Sequence, residues 1–345
     1  MKQAVLERKT VQTVAETLVI VFIGTISWTA HSTGIVLLLF PELAALSHDV
    51  ITRPRGKWAS QPWRLILTPT LTAIIGLYLT RHLSYGALNI ALIVALSLIC
   101  IKLMKSTIAP AISAGALPMV LGERSWLYPL AIFLGLALLV IVLLLWRRFG
   151  VRNDHPTRSD AEHSELVDAL EALPHDRFWA IGLMTFVLIL GAAAQITNLR
   201  FLLFPPLIVM AYELFGHPEI PGWMKRPALF PIVCLLTASI GLVAHHALHA
   251  NFIAAMVTVL CSVVILRLFD VHMPPALAVG LLPFVMTSPD YRFPLSVLLG
   301  TVALTLYFFA YKRLRTTYGT NAALIALPHR TMSETQQHNF ILKSK

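Results

Sequence analysis

Arg200 stands in the stretch QITNLRFLLFPP, about two residues into a short apolar segment, with Thr197 and Asn198 just before it. An ionisable group at the centre of a membrane span costs about 2.5–3.5 kcal/mol, so an arginine there needs a partner or a task. A helix start offers free N–H groups and a partial positive charge, both suited to an anion. The guanidinium adds a two-pronged donor, which makes Arg200, Asn198 and Thr197 candidates for binding a small anion. The competing reading is a guanidinium that snorkels to the outer interface.

A second set comprises Lys102, Lys105 and Thr107, with Arg267, Asp270 and His272 further along. Each precedes a proline, Pro110 or Pro274-Pro275, that can open a short helix. An Asp270–Lys105 ion pair and proton transfer by Asp270 with His272 are the chemistry this set allows. Anchoring of a span at a basic membrane face is the plainer alternative. Asp49, Glu213 and Glu42 lie in or at the ends of apolar segments, where a carboxyl suits proton coupling or simply faces a loop. His245, His246 and His249 place two histidines one helical turn apart, but no further cluster accompanies them, so no metal site is expected. No HExxH motif and no aspartate pair is present. The expectation is therefore no catalytic residue, no cofactor and no enzyme.

These residues sit in a chain of 345 with 57% hydrophobic and 13% charged residues, and a mean hydropathy of +0.74. Soluble domains carry about 25% charged residues, so too little polar surface is available to cover a water-soluble globule of this size. Runs such as LYPLAIFLGLALLVIVLLLW (127–146) reach the roughly 20 residues a spanning helix needs. They lack the alternation of barrel strands. The net charge of +10 resides in Lys and Arg between apolar blocks, which points to membrane topology rather than nucleic acid. Cys100, Cys234 and Cys261 lie inside apolar stretches and read as small hydrophobes.

The blocks repeat. LLFPELAALSHDVITRP (38–54) returns as LLFPPLIVMAYELFGHP (202–218), 164 positions later. From Trp58 the offset becomes 165, pairing Pro62 with Pro227, Gly76 with Gly241, Pro110 with Pro275, Gly115 with Gly280 and Gly135 with Gly300. The same register pairs Thr33 with Thr197, Lys102 with Arg267, Lys105 with Asp270 and Thr107 with His272, so Thr33 joins the candidates. Each copy shows about six apolar segments, at 12–31, 34–47, 64–80, 86–104, 107–121 and 126–146, then 178–195, 199–213, 228–246, 251–268, 273–287 and 292–311. The second and fifth of each are short and hold Pro or Gly, as half-helices do.

The expected fold is all-α: a polytopic transmembrane helical bundle of two parallel tandem repeats, 10–12 segments in total, with a pseudo-twofold axis along the membrane normal. Module one is 1–148, a linker spans 149–177, module two is 178–315, and a polar tail covers 316–345. Arg53, Arg55, Lys57, Arg64, Lys102, Lys105, Arg147 and Arg148 fall on one side if each copy crosses six times, which places both termini in the cytoplasm. The linker reads as a short amphipathic helix, with Ser159 and Glu162 spaced as a capping box. Leu166, Val167, Leu170 and Leu173 form its apolar face behind an acidic one.

In the second copy, Leu202-Leu203-Phe204, Pro227, the span to Gly241, and Met273-Pro274-Pro275-Ala276 resemble the HPP family of small integral membrane proteins. The first copy keeps Leu38-Leu39-Phe40, Gln61-Pro62 and Ala109-Pro110-Ala111. The His of the family's His-Pro-Pro signature is replaced by Met273, with His272 one residue earlier, and by Ala109 in the first copy. Because family members are usually single modules, the resemblance implies an intramolecular pseudo-dimer. Plant relatives are associated with nitrite movement, so it also implies transport of a small anion, nitrite first, across a bacterial inner (plasma) membrane. The alternative is a non-transporting scaffold or sensor that signals through the linker helix. The expected partners are the lipid bilayer, a small anion and, beyond the pseudo-dimer, further copies of the chain.

Overall fold

The computed structural model describes residues 2–149, 158–174, 178–220 and 226–325, with side chains described from residue 10 to 315 except within 150–163, 175–177 and 221–225. Among the described residues every regular element is a helix. The first half supplies α1 (Lys2–Thr33), α2 (Glu42–Thr52), α3 (Pro62–His82), α4 (Ala87–Leu103), α5 (Pro110–Leu121) and α6 (Leu127–Phe149). The linker forms α7 (Arg158–Leu170). The second half supplies α8 (Phe178–Thr197), α9 (Pro205–Gly216), α10 (Leu229–Ala247), α11 (Phe252–Phe269), α12 (Pro275–Leu281) and α13 (Arg292–Ile325). The order of long and short helices is the same in both halves, and it follows the apolar segments of the sequence closely.

Among the described residues seven helices are long and apolar enough to cross a membrane, and Ala87–Leu103, Pro110–Leu121 and Pro275–Phe284 are shorter apolar helices. Protein covers between 39% and 50% of the most apolar stretch of each long span. The remainder carries large exposed apolar side chains such as Trp28, Ile141, Ile196 and Val243, a surface that only lipid solvates well. The chain is an integral membrane protein. The described residues up to Thr305 form one compact unit, and those from Leu306 to Ile325 belong to a second. Helix α13 runs on to Ile325, so the polar tail expected from residue 316 starts as helix; its later part lies outside the described residues.

The short helices are the buried ones. All residues of α2 from Glu42 to Ile51, and all residues of α12, are buried. Helix α5 is buried from Pro110 to Val120, and α9 from Pro205 to Phe215. Proline begins α5, α9 and α12, where its missing N–H costs nothing and its fixed φ suits the first turn. The long helices that flank them close in through glycine. A Cβ on Gly76 of α3 would overlap the carbonyl oxygen of Gly115 on α5, and one on Gly241 of α10 would overlap that of Gly280 on α12. Small residues let helix backbones touch where no hydrophobic force drives membrane helices together.

Packing across the halves comes in exchanged couples. Helix α1 packs on α11 and α4 on α8; α2 packs on α12 and α5 on α9. Glu16 of α1 pairs with Arg267 of α11 at 2.6 Å, and the backbone N–H of Ala87 at the start of α4 donates to Gln195 Oε1 of α8 at 3.3 Å.

The linker helix α7 is described in part. The capping pair Ser159 and Glu162 lies outside the described side chains. Val167 is buried, Leu166 is exposed, and Leu173 falls beyond the end of α7. What docks is the acidic side: Asp168 and Glu171 both reach Arg53, and Lys57 Nζ donates to the Asp168 carbonyl at 3.0 Å. The reason is electrostatic, since Arg53 is nearly buried and three carboxylates surround it.

Candidate functional site

Helix α2 carries more polar groups than a buried 11-residue helix needs. Glu42, Ser47, His48 and Asp49 are all buried. Ser47 is satisfied within the helix by the Ala44 carbonyl at 3.1 Å. Glu42 takes a hydrogen bond from Ser113 of α5 through Oε1. The other two, His48 and Asp49, act near the end of the helix.

Asp49 is fully buried and its Oδ1 is the meeting point. Arg53, one turn on, reaches it at 2.8 Å, and His272, just before α12, faces it with Nε2 at 3.6 Å. The rings of His48 and His272 stand 6.4 Å apart. Asp49 Oδ2 and His48 Nδ1 are buried without a hydrogen-bond partner among the described residues. Glu213 of α9, the position paired with Asp49, is buried and lies within electrostatic reach of it. Two imidazoles, one guanidinium and two carboxyls thus gather where the short helices of the two halves meet. A buried charge must be paired or neutralised, so this junction holds protons and counter-charges rather than idle polarity.

The linker closes over that end. Arg53 also binds Glu171 at 2.6 Å and Asp168, and a Cβ on Gly216 at the end of α9 would press on Pro174. The linker therefore touches the ends of both α2 and α9. Burial pushes the Glu171 carboxyl up to about 9, with Asp49 and Asp168 adding to the rise and Arg53 opposing it. The surrounding carboxylates in turn hold the Arg53 guanidinium charged, against the effect of its burial. From α6, Trp146 Nε1 donates to the Ile51 carbonyl at 3.1 Å, and Arg147 donates to the carbonyls of Pro54 and Ala59 at 2.7 and 2.6 Å.

The residues singled out by sequence are spread differently. Arg200 is exposed; it opens a 3-10 turn (Arg200–Leu203), not an α-helix, and its guanidinium lies 4.9 Å over the Tyr85 ring. Thr197, Asn198 and Thr33 are exposed too, and the hydroxyls of Thr197 and Thr33 are spent on helix carbonyls one turn back. Lys102 and Lys105 are exposed, while Thr107 is tied to Gln61 and Trp58. Arg267 pairs with Glu16, and Asp270 is an exposed left-handed residue capping α11. Among the described residues Asp270 and Lys105 form no ion pair, because each sits exposed beyond the end of its own helix. Of the proposed anion-binding residues His272 alone enters the buried junction, where it meets Asp49 and Glu213, two of the acids singled out in apolar segments. His48 and Asp49 carried a readable signal: ionisable residues inside an otherwise apolar segment. Arg53 and the linker acids carried none, being more than a hundred residues apart.

His245 and His246 stack at 5.2 Å on α10, with His245 also against Phe284. Among the described residues no three His, Cys, Asp or Glu side chains converge as metal donors would.

Residues 2–156 match the family model described as HPP, transmembrane region. That match covers α1 to α6 and so includes Glu42, His48, Asp49 and Arg53; Met273-Pro274-Pro275 lies outside it. No curated protein and no solved structure matches the chain.

Proposed function

We propose that this chain, whose first half carries the transmembrane region of the HPP family of membrane proteins, is a transporter of a small monovalent anion and not an enzyme. The observation that carries the reading is the Asp49–His272 contact, which buries titratable groups between short helices of opposite halves. Short, proline-started helices at the middle of a bundle are where transporters place their substrate sites. His48 and His272 supply N–H donors and, when protonated, positive charge for an anion, while Asp49 and Glu213 supply carboxyls to exchange the protons. Arg200, exposed on the rim with Tyr85, serves as a collecting charge outside the junction. Nitrite heads the list of cargoes because of what the resemblance implies. The recurring glycine contacts and exchanged helix pairs support a pseudo-dimer in which one chain contains both halves. The basic residues of the 53–64 loop support cytoplasmic termini and a bacterial inner membrane as the setting.

The test is flux of nitrite, nitrate, formate and chloride into proteoliposomes holding the wild-type chain, Asp49→Asn or Arg200→Ala. Saturable uptake of one of these anions is expected. Asp49→Asn should lower the maximal rate by about a hundredfold, the low end of what a positioned proton carrier contributes. Arg200→Ala should raise the half-saturating concentration and keep the rate. Folded, inserted protein that moves none of them would overturn the reading. It would favour a sensor signalling through α7, a reading whose one specific support is the docking of Asp168 and Glu171 on Arg53.

A further inference from the structure

Among the described side chains Glu42 is a carboxyl buried without a cation. It begins α2, is 2% exposed, and its Oε2 has no hydrogen-bond partner among the described residues. The single side-chain donor to it is Ser113. Helix α2 packs against α1, α5, α6 and α12. Helices α5 and α12 contain no titratable residue at all. From α6 comes Tyr128, whose hydroxyl donates to the Ala114 carbonyl at 2.7 Å, while Glu123 in the preceding turn is spent on the backbone N–H groups of Arg124 and Ser125. Arg147, at the far end of α6, is bound to the carbonyls of Pro54 and Ala59. Among the described side chains of α1, Glu16 is paired with Arg267 and His31 is exposed. On α2 itself His48 and Asp49 lie about 9 Å further along the axis, at 1.5 Å per residue. A carboxylate left charged there would be unpaired in a low-dielectric interior, at a cost of several kcal/mol; a neutral carboxyl is not.

The second half shows that the fold does not need this group. In the repeat register Glu42 corresponds to Pro206 and Ser113 to Ala278. Both partners are replaced together, by residues whose side chains neither ionise nor hydrogen-bond, and α9 and α12 are still built and buried.

We infer that Glu42 is a proton-binding site, loaded and emptied once per transport cycle, so that the anion moves together with a proton. The inference rests on the transporter reading. Its chemistry is balanced by itself: a proton joins the carboxylate to give the carboxyl on one side and leaves it on the other. Ser113 positions the group by donating to it.

The first experiment does not depend on transport. An infrared difference spectrum between the wild-type chain and Glu42→Gln at neutral pH should show a protonated-carboxyl C=O stretch that the variant lacks. Ser113→Ala should shift that stretch to higher frequency, and it provides the same test if Glu42→Gln does not fold. A carboxylate doublet in place of the C=O stretch would overturn the inference. The second experiment drives anion uptake into proteoliposomes that hold a pH dye. Inward acidification coupled to uptake is expected in the wild type and lost in Glu42→Gln, with anion exchange at equal pH retained. Uptake in the wild type without proton movement would also overturn it. A protonated Glu42 in a chain that moves no anion would sink the transporter reading instead and leave the proton site standing.

Discussion

Helices α2 and α9 occupy matching places in the two halves, with 11 and 12 residues, yet they differ in what they bury. Both are wrapped in protein, both are reached across the bundle by a short helix of the other half, and both end in an acid, Asp49 or Glu213. On α2, however, Glu42 and His48 stand where α9 has Pro206 and Tyr212, and Arg53 stands where the second half has His217. The facing positions diverge as well: Ser113 and His272 against Ala278 and Thr107. The difference teaches that a similar order of short helices can bury a very different set of polar groups. Glycine contacts and proline starts recur, while the ionisable groups collect around α2 and its partners.

The largest effect that sharpens this contrast is expected at Arg53. Replacing it with Ala strands the Asp49 carboxylate in the interior, and breaking a buried ion pair costs about 3–5 kcal/mol. His217→Ala at the paired position should cost less than Arg53→Ala, because it leaves the Asp49–Arg53 pair intact. Thermal unfolding of both variants in detergent measures the gap, and equal losses would break the asymmetry. A scaffold shared by both halves gives the opposite pattern at the close helix crossings. Gly76→Ala and Gly241→Ala should each destabilise by about 1–3 kcal/mol through overpacking, and by similar amounts. A large difference between the two would mean that the halves do not share even their packing.

The smallest effect is on the linker and depends on pH. Glu171 is raised to about 9 from an ordinary 4.5, so its protonated form is the one favoured by docking. For a group whose folded value is raised, the stabilising contribution is full at low pH and fades as pH climbs from the ordinary to the folded value. Hydrogen-exchange protection of residues 164–174, taken as the observed rate against the base-catalysed rate of an open amide at the same pH, should therefore be higher at pH 5 than at pH 9. Glu171→Gln should flatten that dependence. Protection unchanged across this range in the wild type would remove the proton from the docking contact.

Much of this bundle is legible in the amino-acid order. Hydropathy and the spacing of Pro and Gly mark all twelve segments, and they also mark α2, α5, α9 and α12 as the short ones, because a proline start and a glycine crossing are local facts. The placement of charge is less legible. Arg200 reads as the start of a short helix, but the chain there makes a 3-10 turn and leaves the guanidinium on the surface over Tyr85. Arg53 reads as one more basic residue of a cytoplasmic loop, whereas its partners come from a linker more than a hundred residues away. Burial of a charge depends on what packs above it, and that is settled by tertiary structure rather than by neighbours in sequence.

The claim that the ionisable groups around α2 carry the chemistry meets its most direct test at one paired position. Maximal anion flux in proteoliposomes should be compared for His272→Gln and Thr107→Val, with the wild type beside them. The account predicts a fall of about a hundredfold for His272→Gln and an unchanged rate for Thr107→Val. Equal falls in both variants, or a wild-type rate in His272→Gln, would contradict it.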